Sequence, residues 1–127
     1  MSYGSFATAI SCMDGRIQIP VIDYVLRKCK VDYVDMITEA GPIGVLAENS
    51  DKLIIESIKR RVAVSAGKHN SVHIVIVGHD DCAGNPVEKA TQLKQILESI
   101  RIVRSWGFRA EIFGLWIDDR WVAHEVK

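Results

Sequence analysis

The sequence lacks an excess of charge of either sign. Sixteen basic and sixteen acidic side chains balance among the 127 residues. Binding to nucleic acid or to an anionic membrane needs a cluster of Lys and Arg, so this balance argues against both partners. The longest apolar runs are the length of a strand, and residues 1–9 carry no basic region before an apolar stretch. We therefore expect a cytoplasmic protein without membrane or nucleic-acid partners.

Cysteine is scarce and odd in number. The three cysteines, Cys12, Cys29 and Cys82, lack the spacing of a disulfide framework. That pattern suits a reducing compartment, in which thiols stay free to bind metal. Cys29 lies on the apolar stripe of a predicted helix, so we assign it to the core. His69 and His124 are predicted at the surface.

The chain also lacks linkers, internal repeats and low-complexity segments. Apolar residues make up 48% of it, which is enough for one buried core in a chain of 127 residues. There is no room for a second core of normal size. We therefore predict a single domain over residues 1–127.

Short apolar runs rich in β-branched residues alternate with segments of helical periodicity. This alternation is typical of an α/β fold, with a mostly parallel central sheet flanked by helices. The predicted strands are 6–11, 33–38, 72–77 and 110–117, and 121–126 is predicted as an antiparallel edge strand. The third strand is a continuous apolar run, which indicates burial on both faces. We expect the strand order 2-1-3-4, which makes the first and third strands neighbours.

Three helices are predicted between these strands. Capping residues, helix-initial prolines and terminal glycines mark their ends. The first helix opens at Pro20. The second runs from a cap at Asn49 or Ser50 to about Ala66, and Gly67 ends it. The third has Asn85 as its cap, Pro86 in its first turn and Glu88 in a box-like pair with the cap, and it ends at Gly107. Leu53 is predicted on the core face of the second helix and Leu97 on that of the third.

Metal-binding side chains follow two of the predicted strands. Cys12 comes directly after the first strand, and His79 and Cys82, three residues apart, follow the third. Zinc prefers thiolate sulfur and imidazole nitrogen, and three protein ligands leave a fourth position for water, whereas four ligands make a structural site. Adjacent parallel strands lie about 4.8 Å apart, so residues at their carboxyl ends can act as ligands to the same metal ion. A free cysteine is often just a small buried residue, but the strand-end positions favour a zinc site.

The motifs around these residues resemble those of one enzyme family. Residues 12–16, Cys-Met-Asp-Gly-Arg, resemble the Cys-x-Asp-x-Arg motif of the β-class carbonic anhydrases. Residues 79–82, His-Asp-Asp-Cys, resemble the His-x-x-Cys motif of that family. Residues 36–41 resemble its second strand, although only the final Ala-Gly of the usual Arg-Asn-Ala-Gly is shared. The resemblance implies a zinc-dependent hydratase that converts carbon dioxide and water to bicarbonate and a proton.

Asp14 and Arg16 stand two and four residues after Cys12. We interpret Asp14 as the acceptor of a proton or a hydrogen bond from the zinc-bound water, with Arg16 as its bidentate partner. The resemblance implies the same roles. In some members of the family the aspartate displaces the water, so the fourth zinc ligand stays open between water and Asp14. The alternative is an ordinary ion pair in a surface loop.

The sequence departs from the family pattern in three respects. Ala83, followed by Gly84, stands where the family has a glycine after the second cysteine ligand. Glu39 replaces an amide that the family places near the site, which would bring a second carboxylate towards the metal. The N-terminal arm and much of the C-terminal region, with which the family forms dimers and walls its cleft, are also expected to be missing.

Two other functions remain open at this point. A zinc hydroxide of the same kind acts on carbonyl sulfide or carbon disulfide in relatives of the family. A non-catalytic zinc-binding module is the third possibility. In each case the apolar strands and helices, without covering arms, predict a homodimer or a higher homo-oligomer.

Overall fold

A computed structural model describes residues 4–126, so the predicted domain limits at residues 1 and 127 lie outside the described residues. The elements in chain order are β1 (Phe6–Cys12), α1 (Gln18–Cys29), β2 (Tyr33–Glu39), α2 (Pro42–Glu48), α3 (Lys52–Lys68), β3 (His73–His79), α4 (Lys89–Arg104), β4 (Glu111–Ile117) and β5 (Ala123–Val126). Every helix within residues 4–126 falls short of the length and apolarity that a membrane crossing requires.

All five strands form one sheet in the order β2-β1-β3-β4-β5. β1 pairs in parallel with β2 and β3, and β3 pairs in parallel with β4. β5 pairs with β4 in the antiparallel direction, at the edge of the sheet. The α/β class, the strand order and the antiparallel edge strand are therefore confirmed.

The sheet carries an apolar layer on each face, because successive side chains of a strand point to opposite sides. On one face, α2, α3 and α4 pack against a layer that includes Ile10, Ile74, Ile76 and Trp116. On the other face, α1 packs against a layer that includes Ala9, Val75, Val77 and Leu115. Helices therefore cover both faces of the central strands, which explains the continuous apolar run in β3.

Helix α2 is absent from the sequence prediction. It has only seven residues, too few to show helical periodicity, and it starts with Pro42 at its first turn. The residue predicted to cap the next helix, Asn49, instead ends α2 in the left-handed conformation, with φ of 54°. Asp51 caps α3 in its place, since its side chain accepts a hydrogen bond of 3.2 Å from the N–H of Ile54.

Two further predictions of helix ends are wrong. Gly67 lies inside α3, which continues to Lys68. Asn85 does not cap α4, because that helix begins at Lys89 with Glu88 as its N-cap. The Asn85 side chain instead donates a 2.6 Å hydrogen bond to Gln95. A side-chain contact between two segments has replaced the local cap that the sequence suggested.

Two leucines predicted in the core are exposed. The exposed fraction is 86% for Leu53 and 46% for Leu97. The sheet covers only one stripe of each helix, and in α3 that stripe contains Ile55, Ile58 and Val62. The helix therefore buries Ile55 and turns Leu53 towards solvent.

A polar network joins α3 to the sheet. The hydroxyls of Thr8 and Ser65 lie 2.6 Å apart, and Ser65 donates to Asp35 at 2.7 Å. His69 Nδ1 also contacts the Asp35 carboxylate at 2.7 Å, and the His69 ring stacks on Phe6 with the ring centres 4.0 Å apart. His69, predicted at the surface, is therefore half-buried and paired with Asp35.

Candidate metal centre

Strands β1 and β3 end side by side at the carboxyl edge of the sheet. Cys12 is the last residue of β1 and His79 is the last residue of β3, so both lie within their strands and not just after them. Cys82 lies in the loop that leads from β3 to α4. From these neighbouring strands the chain leaves to opposite faces, towards α1 and towards α4. This topological switch point is where open α/β sheets bind ligands.

The structure brings the three predicted ligands together. The donor atoms of Cys12, His79 and Cys82 all lie within 4.8 Å of one another, and they form the one such group found among residues 4–126. The two sulfur atoms are 3.8 Å apart. Tetrahedral zinc, with bonds of about 2.3 Å to sulfur, holds two sulfurs about 3.8 Å apart. The spacing of the two sulfurs therefore matches that of two thiolates on one zinc ion.

The His79 ring is oriented to offer its free nitrogen to a cation. Its Nδ1 lies 2.7 Å from the carbonyl oxygen of Asp80, which can only accept, so Nδ1 carries the proton. Nε2 is then a lone-pair acceptor, and it is buried without a hydrogen-bond partner. Buried polar atoms are nearly always satisfied. A metal ion would supply the missing partner, and the Nδ1 contact is the kind that orients a histidine ligand.

Helix α4 fixes the backbone of His79. The Gln92 side chain accepts from the His79 N–H at 3.2 Å and donates to the His79 carbonyl at 2.8 Å. Gln92 is only 1% exposed, so this double contact is shielded from water. Gln92 was missed by sequence analysis, because a single polar residue on a helix gives no sign of its partner.

A close contact between loops positions Cys82. Gly84 packs against Ala40 and Gly41, and a Cβ at Gly84 would lie 2.7 Å from the Ala40 carbonyl carbon. No side chain fits there, whereas Ala83 is exposed. The glycine that this loop needs is therefore the second residue after Cys82, which accounts for the shift from the family pattern.

The two thiols have different acidities. Burial raises the pKa of Cys12, but the adjacent His79 imidazole and the backbone N–H groups of Gly41 and Asp14 outweigh it and bring that pKa down to about 7. Burial, together with the adjacent Cys12 sulfur, raises the pKa of Cys82 to about 11. A divalent cation would allow both thiols to ionise, because it neutralises the two negative charges.

Asp14 and Arg16 form a bidentate ion pair beside this cluster. Arg16 Nη2 donates to Asp14 Oδ2 at 2.7 Å, and Arg16 Nε donates to Asp14 Oδ1 at 3.1 Å. The Arg16 backbone N–H also donates to Oδ1, at 2.9 Å. Hydrogen bonds from the Arg16 side chain hold the pKa of Asp14 at about 2. Asp14 is therefore a fixed, ionised hydrogen-bond acceptor.

Glu39 is held by a partner that the sequence did not reveal. It pairs with Cys12 in the register of β1 and β2, which places both at the carboxyl edge. Its Oε1 forms an ion pair with Arg61 Nη2 of α3. Arg61 also donates to the carbonyl of Thr38, at 3.5 Å. The carboxylate predicted near the metal is thus engaged by α3 and is not part of the three-residue cluster.

Comparison with known proteins identifies the family. The model of the family described as "Putative carbonic anhydrase" matches residues 2–127. The chain belongs to this family, and the resemblance drawn from its motifs is confirmed. Among curated proteins, none matches the chain significantly.

Solved structures share the fold over most of the chain. The β-carbonic anhydrase isoform I of Trichomonas vaginalis is 18% identical, with a TM-score of 0.60 over 94% of this chain and 81% of that one. The carbonic anhydrase of Glaciozyma antarctica is 12% identical, with a TM-score of 0.62 over 94% and 81%. The apo form of a carbon disulfide hydrolase is 10% identical, with a TM-score of 0.57 over 99% and 81%. At these identities the likeness establishes the fold.

Proposed function

We propose that this protein binds one zinc ion through Cys12, His79 and Cys82 and catalyses the hydration of carbon dioxide to bicarbonate and a proton. The observation that carries the proposal is the buried cluster of two sulfurs and one unpartnered imidazole nitrogen at the switch point of the sheet. Membership of a carbonic anhydrase family supports the reaction. Thiol ligands persist in a reducing compartment, so we place the protein in the cytoplasm.

The residues of the chain divide the task between them. When bound, zinc lowers the pKa of a water molecule to about 7 and makes hydroxide available at neutral pH. Cys12 and Cys82 supply negative charge, and His79 presents Nε2 because Asp80 holds its Nδ1–H. Asp14 accepts a hydrogen bond from the attacking water and orients it. Arg16 fixes Asp14 by donating to both of its carboxylate oxygens.

The metal is tested with two cysteine variants. We expect about one zinc per chain in the parent protein, and Cys82→Ser should lose most of it, because a hydroxyl is a far poorer zinc ligand than a thiolate. Cys29→Ser is the matched control, since Cys29 lies on α1 away from the cluster, and it should keep its zinc. Metal analysis of the three purified proteins gives the answer. Full zinc in Cys82→Ser, or none in the parent, would refute the site.

The reaction is tested by stopped-flow hydration of carbon dioxide between about pH 6 and 9, the range in which a water on zinc ionises. The zinc-loaded parent should be active and Cys82→Ser inactive. A zinc-loaded parent without hydration activity at any pH in this range would refute the proposed reaction.

Hydrolysis of carbon disulfide or carbonyl sulfide is the second candidate. Met13, directly after Cys12, exposes 64% of its surface and offers an apolar contact for a sulfur-containing substrate. A carbon disulfide hydrolase also shares the fold. Parallel assays with carbon dioxide, carbonyl sulfide and carbon disulfide would rank the substrates. If none reacts and zinc removal merely unfolds the protein, the site is a structural one in a non-catalytic module.

A further inference from the structure

Residues from three segments of the chain surround the Arg16 guanidinium. Arg16 donates to Asp14, as described above, and also to the Asp81 carboxylate at 3.3 Å and the Asp81 carbonyl at 3.0 Å. The guanidinium carbon lies 4.7 Å from the ring centre of Trp121. Asp14 and Asp81 belong to the two motif loops, whereas Trp121 lies in the turn between β4 and β5. No motif pointed to Trp121.

The backbone conformation of Trp121 is unusual for a large residue. Its φ is 62°, and Asp81, the other neighbour of Arg16 in that conformation, has φ of 55°. The remaining non-glycine residues with positive φ in the described chain are Lys30, Asn49 and Asn70, all at or just after helix ends. Left-handed residues are common at helix ends but uncommon elsewhere, and they concentrate at functional sites.

The turn that carries Trp121 is fixed by its own polar contacts. Asp118 Oδ1 accepts from the N–H groups of Arg120 at 2.8 Å and Val122 at 3.0 Å, and Oδ2 contacts His124 Nε2 at 2.6 Å. The Trp121 N–H donates to the Asp118 carbonyl at 3.0 Å. The indole is therefore presented to Arg16 by an ordered turn.

We propose that Trp121 is a positioning residue: its ring holds the Arg16 guanidinium in the orientation in which Arg16 donates hydrogen bonds to both carboxylate oxygens of Asp14. Arg16 exposes 45% of its side chain, and an ion pair in that setting is weak and can exchange between rotamers. A cation over an indole face gains a directional attraction that limits those rotamers. Without the ring, Arg16 has fewer constraints and Asp14 loses its fixed orientation beside Cys12. This role rests on the proposed function and deepens it.

Variants of two tryptophans test the proposal. Trp121→Leu removes the aromatic face and keeps apolar volume, Trp121→Phe keeps a smaller face, and Trp106→Leu is the control. Trp106 packs edge-on against Phe108 at the other end of the sheet. The first measurement is the NMR signal of the Arg16 Nε–H, assigned with Arg16→Lys, in metal-free and zinc-loaded protein. The ring-current shift should be lost in Trp121→Leu, reduced in Trp121→Phe and unchanged in Trp106→Leu.

The second measurement is carbon dioxide hydration by the zinc-loaded variants. The kcat of Trp121→Leu should fall by about 3- to 30-fold, the range for loss of one cation–π contact. KM and zinc content should change little, and Trp121→Phe should recover most of the rate. Trp106→Leu should retain the parent rate.

An Arg16 signal unchanged in Trp121→Leu, or equal rates in Trp121→Leu and Trp106→Leu, would overturn the proposal. If Trp121→Leu does not fold, the reduced ring-current shift in Trp121→Phe decides whether the contact exists. A parent that does not hydrate carbon dioxide refutes the proposed function instead. In that case the NMR signal alone decides whether Trp121 positions Arg16, and an unchanged signal overturns that role as well.

Discussion

Among the individual residues, Asp14 and Arg16 differ from an ordinary surface ion pair in what surrounds them. A pair of that kind between exposed side chains contributes about 0–1 kcal/mol and tolerates substitution. Here Arg16 also donates to Asp81, the residue before Cys82, so the guanidinium connects the loops that follow β1 and β3. The Asp14 side chain is only 18% exposed, so its carboxylate is largely shielded from bulk solvent. These contacts favour a role in the reaction.

The variant Asp14→Asn should keep the zinc and lower turnover by roughly 10²-fold or more, the scale of general acid–base assistance. Arg16→Ala should act in the same direction, because it frees the Asp14 carboxylate. Asp23→Asn, on the exposed part of α1, is the control and should retain the parent rate. Stopped-flow hydration and metal analysis measure both quantities. Parent rates in both Asp14→Asn and Arg16→Ala would exclude a catalytic role for the pair.

Of the secondary-structure elements, the hairpin of β4 and β5 is the one outside the family motifs that places a residue, Trp121, beside Arg16. β5 has only four residues, so its ladder with β4 is short. The Asp118 contacts within the turn, together with an ion pair of 2.8 Å between Lys28 of α1 and Glu125 of β5, hold it in place. The position of Trp121 therefore depends on side-chain contacts more than on strand pairing.

The stability of this hairpin should depend on pH through Asp118. The hydrogen bond with His124, followed by those from the N–H groups of Val122 and Arg120, lowers the pKa of Asp118 from 3.8 to about 2. A carboxyl with a lowered pKa stabilises the folded state above its unfolded pKa and loses that contribution as pH falls. The loss should therefore occur between about pH 4 and 2.

Urea unfolding at pH 7, 4, 3 and 2 tests this dependence. Asp118→Asn should be less stable than the parent at pH 7, and the difference should shrink between pH 4 and 2, where the parent loses the Asp118 contribution. Asp119→Asn, at the exposed neighbouring position, should follow the parent at each pH. A constant difference between Asp118→Asn and the parent across this range would contradict the assignment.

For the molecule as a whole, we propose self-association through some of its exposed apolar side chains. Ile19 at the start of α1 is 71% exposed, Met13 is 64% exposed and Val122 is 50% exposed. Ile19 and Val122 line one surface groove together with Trp121. Contact with a second copy would bury these apolar side chains.

We therefore expect a dimer or a higher oligomer by light scattering at micromolar concentration. Ile19→Glu should shift the mass towards the monomer, because it places a charge in the proposed contact. Leu53→Glu, on the exposed face of α3, should leave the mass unchanged. A strictly monomeric parent would rule out this assembly, and a monomeric Leu53→Glu protein would move the contact to α3.

The strands of the sheet follow from local signals in the sequence. A strand that is buried on both faces has a continuous apolar run, so each such strand can be recognised from its own residues. The grouping of Cys12 with His79 and Cys82 also follows, because ligand chemistry and strand-end position are local properties, and the structure places their donor atoms within 4.8 Å. Such features depend on side-chain type and spacing along the chain.

Contacts between distant segments required the folded structure. Arg61 forms an ion pair with Glu39, 22 residues away in the sequence. Gln92 forms hydrogen bonds with the backbone of His79, 13 residues away. Trp121 contacts Arg16, which lies near the opposite end of the chain. Asn85 shows the same limit, since its contact with Gln95 prevailed over a good capping sequence. The energies of such contacts depend on distances that exist only after the sheet has formed. The two short motifs therefore determine the chemistry of the site, whereas tertiary packing determines which other residues orient its side chains.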